Sequence, residues 1–278
     1  MTGPSLTLCA DDYGLAPGLG RAIRALIESG RLQATGCMTG SRHWPAEAVL
    51  LKPLKGKAQF GVHLTLTDQR PLGAMPDLAP EGKLPPIGTM VRRAVAHRLD
   101  RAEIAAELER QIDAFEAAMG RAPDFLDGHH HVHQLPIVRD VVLDLWRLRL
   151  RPTGGWVRSC WENPLAIAAR GIDPVRATII ALLGLRLRWM LKAAGAPHNH
   201  SFRGVYDFSG KVAYAELFRR FTDRPGPRTL VMCHPGEVDE ALKACEWLTD
   251  QREVEYRFLA SEDCAASLKQ RGITLSSL

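Results

Sequence analysis

The sequence predicts an α/β fold built on a mainly parallel sheet or a barrel. Two observations carry this expectation. Short apolar or alternating segments recur along the chain with helical segments between them, in the order strand, helix, strand, helix. Four clusters rich in Asp or His follow directly after such apolar segments, where an α/β barrel gathers its loops on one face. The 278 residues suffice for one large domain or two small ones. No internal repeat or linker divides them, so a single domain over residues 1–278 is expected.

The elements follow in order. Residues 6–10 are a short apolar run and the expected first strand. Residues 17–29 read as a helix, opened by Pro17 and stopped by Gly30. A strand at 33–39 and a short helix at 45–51 come next. FGVHLTL at 60–66 alternates as a strand does. Residues 68–88, rich in Pro and Gly, read as a long surface loop. Asp100 with Glu103 forms a capping pattern before the helix that Gly120 closes. Phe125–Leu126 is a strand leading into DGHHHVH. A helix at 137–150, strands at 155–159 and 228–233, and a helical end at 253–268 complete the reading. Residues 161–200 are helical, apolar and basic at once, and read as an insertion between late elements.

Composition excludes several classes. With 46% hydrophobic and 24% charged residues, disorder, collagen and coiled coil fail as whole-chain descriptions. Lys and Arg total 36 against 31 for Asp and Glu, a net charge of +5. That excess is mild and unclustered, so no nucleic-acid partner is expected. The start, MTGPSLTLCADDYG, lacks the basic and apolar regions of a secretory signal. The longest apolar run, 177–185, is cut by Arg186 and Arg188, short of the roughly 20 residues needed to span a bilayer. Six scattered cysteines without a Cys-x-x-Cys pair read as reduced thiols, which makes the cytoplasm the default location.

Chemistry concentrates in four segments. In LCADDYG, Asp11 and Asp12 are adjacent carboxylates after a buried strand; one can bind a cation while the other handles a proton, or both simply serve the turn. His63 in GVHLTLT is a ligand or a satisfied core histidine. DGHHHVHQLP brings Asp127, His129, His130, His131 and His133 together. If extended, it puts His129, His131 and His133 on one side; if helical, it pairs His129 with His133. Neutral imidazole is the commonest metal ligand, and crowding favours the neutral form. MCHPGEVD presents His234 on a tight turn. Taken together, an Asp and two His form a facial metal site, a second Asp suits general-base work, and a remote His suits general-acid work. These are the parts needed to hydrolyse an amide or ester.

ADDYG at 10–14, GVHLTLT at 61–67, DGHHHVHQLP at 127–136 and MCHPG at 232–236 together resemble the signature segments of the YdjC family, the ChbG- and HpnK-like carbohydrate deacetylases. SFRGVYDFSG at 201–210 and EVEYRFLAS near the end extend the resemblance over nearly the whole chain. It implies a distorted (β/α) barrel related to the NodB-type polysaccharide deacetylases, and removal of an N-acetyl group from a sugar with one divalent metal ion. That ion is Mg2+ by the resemblance, with Zn2+ chemically plausible. Carried over residue by residue, Asp12, His63 and His129 hold the metal. Asp11 resembles the catalytic base and His234 the acid that protonates the leaving amine. His131 and His133 would line the site, and Arg158 in WVRSCWE would orient a carboxylate or contact sugar. Cys9 departs from the Asn or Thr more usual there, which alters packing behind Asp11.

The expected substrate is an N-acetylated sugar, as a chitooligosaccharide or as N-acetylglucosamine linked to a hopanoid lipid. Two rivals stand beside this reading. One is another barrel metal hydrolase such as a phosphoesterase, which needs more than one metal. The other is an inactive membrane-surface or lipid-binding module, suggested by PVRATIIALLGLRLRWMLK at 174–192. Packing of that helix on the barrel or in a homodimer interface is the plainer account, and a homodimer is the expected assembly. A membrane-leaning helix beside the site would suit a lipid-linked sugar and a location peripheral to the inner membrane.

Overall fold

The computed structural model describes residues 4–278. Eight strands form one sheet: β1 (Ser5–Tyr13), β2 (Ala34–Cys37), β3 (Gln59–Leu64), β4 (Phe125–Gly128), β5 (Trp156–Val157), β6 (Ser201–Arg203), β7 (Thr229–Cys233) and β8 (Thr274–Leu275). The helices between them are α1 (Pro17–Glu28), α2 (Trp44–Leu51), α3 (Ile87–Val95), α4 (Arg101–Met119), α5 (Val138–Leu145), α6 (Pro164–Arg170) and α7 (Pro174–Ala194). After β6 come α8 (Tyr214–Phe221), α9 (Glu240–Lys243), α10 (Asp250–Ala260) and α11 (Glu262–Gln270).

All pairings are parallel, in the order β5-β4-β3-β2-β1-β7-β6, with β8 beside the start of β1. The sheet curls, and its ends at β5 and β6 are bridged by the chain before β6. Val157 N–H donates to the Pro197 carbonyl at 3.0 Å. The Asn199 side chain clasps Ser159, accepting from its N–H and donating to its C=O, both at 2.7 Å. This is the distorted barrel expected, tied across its gap by residues 197–199.

Local chemistry explains the elements. A parallel strand covered on both faces reads as a continuous apolar run, and β1 is buried from Leu6 to Tyr13. Helix α1 starts at Pro17 and buries Leu19, Ile23, Leu26 and Ile27 along one stripe. Helix α4 begins where the Asp100 carboxylate accepts from Glu103 N–H at 2.9 Å, and ends at Gly120 with φ 69°.

Several expectations shift. Helix α3 lies at the end of the loop read as 68–88. The helix expected over 137–150 is regular only to Leu145, then continues in irregular turns. The helical end splits in two at Ser261, whose hydroxyl caps α11 through Cys264 N–H. Strand β6 and helix α8 were not anticipated; three residues leave no period to read. The segment read as an insertion is the α6–α7 pair, and α7 lays Ala181, Gly184, Leu187 and Leu191 against the rest of the protein.

Candidate active site

The strands end on one face, around a cavity of about 390 Å³. Its floor is charged and its walls are apolar. The floor begins with a bulge in β1. Between Ala10 and Tyr13, three residue steps on β1 run against two on β2, from Thr35 to Cys37. The extra residue breaks the alternation of side chains and re-aims them, as bulges beside functional sites do. Asp12 takes a left-handed backbone, φ 66°, unusual for a residue with a Cβ. Both Asp11 and Asp12 consequently border the cavity.

Asp12, His63 and His129 converge. Asp12 Oδ1 lies 3.4 Å from His63 Nε2 and 3.0 Å from His129 Nδ1. All three side chains are buried, with their donor atoms within 4.8 Å of one another. Behind them, His63 Nδ1 sits 2.7 Å from Asp127 Oδ1. That partner holds the Nδ1 proton and leaves the Nε2 lone pair facing Asp12, the carboxylate–histidine arrangement of a metal ligand. Burial alone would push the His63 pKa down; Asp127 and Asp11 reverse this and raise it to about 10. Without a cation the three acids therefore draw a proton onto His63. Gly36 on β2 leaves room for the pair: a Cβ there would come within 2.9 Å of His63 Nδ1 and 3.0 Å of Asp127 Oδ1.

Asp11 is held from the other side by Arg158. The guanidinium grips it with two bonds, Nη1 to Oδ2 at 2.8 Å and Nη2 to Oδ1 at 2.6 Å. It also lies 2.6 Å from Asp127 Oδ2 and 3.1 Å from Cys9 Sγ. Burial raises the pKa of Asp11, but Arg158 and His63 outweigh it and hold the carboxyl well below the usual carboxylate range. Arg252 of α10 does the same for Asp12, with Nη2 at 2.7 Å from Oδ2. A second cluster, Cys9, Asp11 and Asp127, also has metal-ligand composition, but the Arg158 guanidinium fills it.

His234, after β7, lines the cavity from the far side. Its backbone N–H donates to Glu255 Oε2 at 2.6 Å, and Glu255 also accepts from Tyr206 O–H at 2.6 Å. Burial pushes the His234 pKa down to about 4, against the pull of Asp12, so the ring is neutral at pH 7.

The histidine run takes neither of the two shapes considered. It forms a tight turn with His130 and His131 in left-handed backbone, φ 51° and 58°. His129, His130 and His131 therefore reach the cavity while His133 turns away. One expectation is corrected here and one is narrowed. His133 does not line the cavity; it is fully buried, with Nε2 donating to the Arg158 carbonyl at 3.1 Å. Of the two roles expected of Arg158, it orients a carboxylate, that of Asp11, and it is fully buried outside the cavity lining, where sugar contact was the other expectation. Sequence reading also missed roles for Asp127, Arg252 and Glu255. Asp127 had a signal, being the acid that opens the His run; the two on α10 had none beyond an ordinary charged helix.

The walls come from elsewhere. Ile179, Ile180 and Leu183 of α7, Ile87 and Val91 of α3, and Val205, Phe208 and Trp247 close over the floor. A model of the family described as YdjC-like protein matches residues 5–270.

The chain belongs to the YdjC-like family.

Its relatives include a chitooligosaccharide deacetylase of Yersinia pestis, 30% identical over 98% of this chain and 97% of that protein. A putative cellobiose-phosphate cleavage protein of Enterococcus faecalis shares the fold at a TM-score of 0.74 and 20% identity, covering 99% of this chain and 97% of that one. A peptidoglycan N-acetylglucosamine deacetylase follows at TM-score 0.52 and 11% identity, over 99% of this chain and 88% of that one. These likenesses agree with the curled parallel sheet expected of this YdjC-like chain.

Proposed function

We propose that this chain is a metal-dependent carbohydrate N-deacetylase that splits an acetamide into acetate and a free amine. The observation that carries this is the convergence of Asp12, His63 and His129 beside an arginine-held Asp11. The donor set fits a divalent cation: one carboxylate, two imidazoles, and a second carboxylate fixing one imidazole's tautomer. Such an ion supplies Lewis acidity, polarising the amide carbonyl and acidifying water. Two imidazoles and a carboxylate suit zinc as readily as the magnesium implied by the family resemblance.

Asp11 serves as base. Arg158 keeps it ionised through neutral and mildly acid pH and fixes its orientation, so it is ready to accept a proton from the attacking water. His234 hands a proton to the leaving nitrogen. It is neutral at rest, so that proton is gained during turnover, with protonated Asp11 in the same cavity as an internal source. Glu255 fixes the His234 backbone. A two-metal phosphoesterase has less support, because the second donor cluster already holds a guanidinium.

The walls favour one class of N-acetylated sugar. Aliphatic side chains from α3 and α7 suit a sugar joined to an apolar carrier, such as a hopanoid, better than a bare oligosaccharide. Six unpaired cysteines, five of them buried, suit a reducing, cytoplasmic setting. The test strips the protein with a chelator, restores magnesium, zinc or cobalt, and follows acetate release from N-acetylglucosamine oligomers and from a lipid-linked N-acetylglucosamine. Metal-dependent release with about one ion per chain supports the reading. Full activity after stripping, or release of phosphate from phosphate esters alone, would defeat it.

A further inference from the structure

Helix α7 has a second apolar face, pointing away from the protein. Val175, Ile179, Leu182, Arg186 and Trp189 recur at three- and four-residue spacing and so share one side of the helix. Ile179 and Leu182 are each 54% exposed and Trp189 is 64% exposed. The opposite face, Ala181, Gly184, Leu187 and Leu191, is the one that packs. Folding therefore accounts for one apolar stripe and leaves the other uncovered, and contiguous apolar exposure marks an interaction surface.

The charges on the helix itself have one sign. Along its 21 residues α7 carries Arg176, Arg186, Arg188 and Lys192 and no Asp or Glu. Asp173, its N-cap, pairs with Arg176, and Arg188 donates to the His200 carbonyl at 2.8 Å. Among the described residues no carboxylate comes within 4.0 Å of Arg186 or Lys192. Arg139, near Arg186, adds a further positive charge, with Asp140 beside it. An isologous contact with a second copy would set this acid-free cationic stripe against itself. An anionic bilayer complements both features, taking the apolar side chains into its interface and the cations onto its headgroups.

Position ties the stripe to the site. Ile179 belongs to both the outer stripe and the cavity wall, and Trp247, 74% exposed, lies on the same rim.

We propose that the outer face of α7, with Trp247, docks this protein on an anionic membrane surface, so that the cavity opens against the lipid headgroups. The proposal deepens the lipid-linked substrate reading above. Its test is binding, measured without turnover, so the two stand or fall separately. The whole protein is sedimented with vesicles of phosphatidylglycerol and phosphatidylcholine, or of phosphatidylcholine alone, at physiological salt. Binding is expected to the anionic vesicles and to weaken as salt rises. The double variant Leu182→Glu/Trp189→Glu replaces no residue that lines the cavity. It should bind at least about tenfold more weakly, and Arg186→Ala alone about fivefold, with unchanged deacetylation of soluble oligosaccharide. Light scattering on the same samples reports assembly. The proposal is overturned if the wild-type protein ignores anionic vesicles, if the double variant binds as well as the wild type, or if that variant breaks a stable dimer that itself binds no lipid.

Discussion

The floor and the wall of the cavity are built on opposite principles. On the floor nearly every charge is neutralised by a buried partner: Asp11 by Arg158, Asp12 by Arg252, His63 by Asp127. The wall formed by α7 and α3 offers mainly aliphatic side chains. Strand ends in a shared sheet hold the floor, so its geometry is dictated by backbone pairing. The wall rests largely on one long helix, held by side-chain packing and a few side-chain hydrogen bonds rather than by strand pairing. On the proposed function, the chemistry and the choice of substrate fall to separate parts of the chain, and one can change without the other.

The comparison breaks most severely at the base. Asp11→Asn should lower kcat by about 10²- to 10⁴-fold while metal content stays near one ion per chain. Steady-state kinetics with elemental analysis reads this. Retained activity would detach the floor from the chemistry. Asp127→Asn removes the partner that fixes the His63 tautomer and should weaken metal affinity or activity by about 10- to 100-fold. Titration with a metal indicator measures it.

Arg158→Met probes charge compensation. It leaves Asp11 and Asp127 buried without their cation, which should cost about 3–5 kcal/mol in denaturant unfolding. The sign of the pH effect follows from the depressed Asp11 pKa. The carboxylate stabilises the fold above its unfolded value, and that stability is lost as pH falls through the lower folded value. In the variant the Asp11 pKa rises, so the acid limb of kcat/KM should move to higher pH. A limb that stays in place would mean that Arg158 serves only the fold.

On the wall, Leu183→Ser should cost about tenfold in kcat/KM on a lipid-linked sugar and little on a soluble oligosaccharide. Equal losses on both would merge wall and floor into one unit. The smallest effect is expected far from either. Asp100→Ala removes the α4 cap and should cost about 1 kcal/mol with kinetics unchanged, read by thermal unfolding and the same assay.

Much of this was legible beforehand because strand-end chemistry is local. ADD, GVH, DGH and CHPG each put a polar residue after an apolar strand, and the fold only had to bring those ends together. What stayed hidden depended on distant partners. The left-handed turns at His130 and His131 override both the strand and the helix reading of the run, so His133 could not be assigned a direction. Arg158 could not be matched to its carboxylates from its own segment, where the nearest acid is Glu162; its partners stand at positions 11 and 127. Arg252 meets Asp12 from 240 residues away. The wall was readable only as a composition, apolar and basic, and which of its faces packs is decided by the tertiary fold.

The place of β1 in the sheet has a consequence for how the protein is made. The strand nearest the N-terminus sits between β2 and β7, and one of its two floor carboxylates waits for an arginine on α10. During synthesis the emerging chain holds Asp11 and Asp12 with one edge of β1 bare until residues 229–233 arrive. At ordinary elongation rates that interval lasts on the order of ten seconds or more. The site is thus assembled at the end of translation. A chain that stops short of α10 lacks the Arg252 counter-charge for the Asp12 carboxylate.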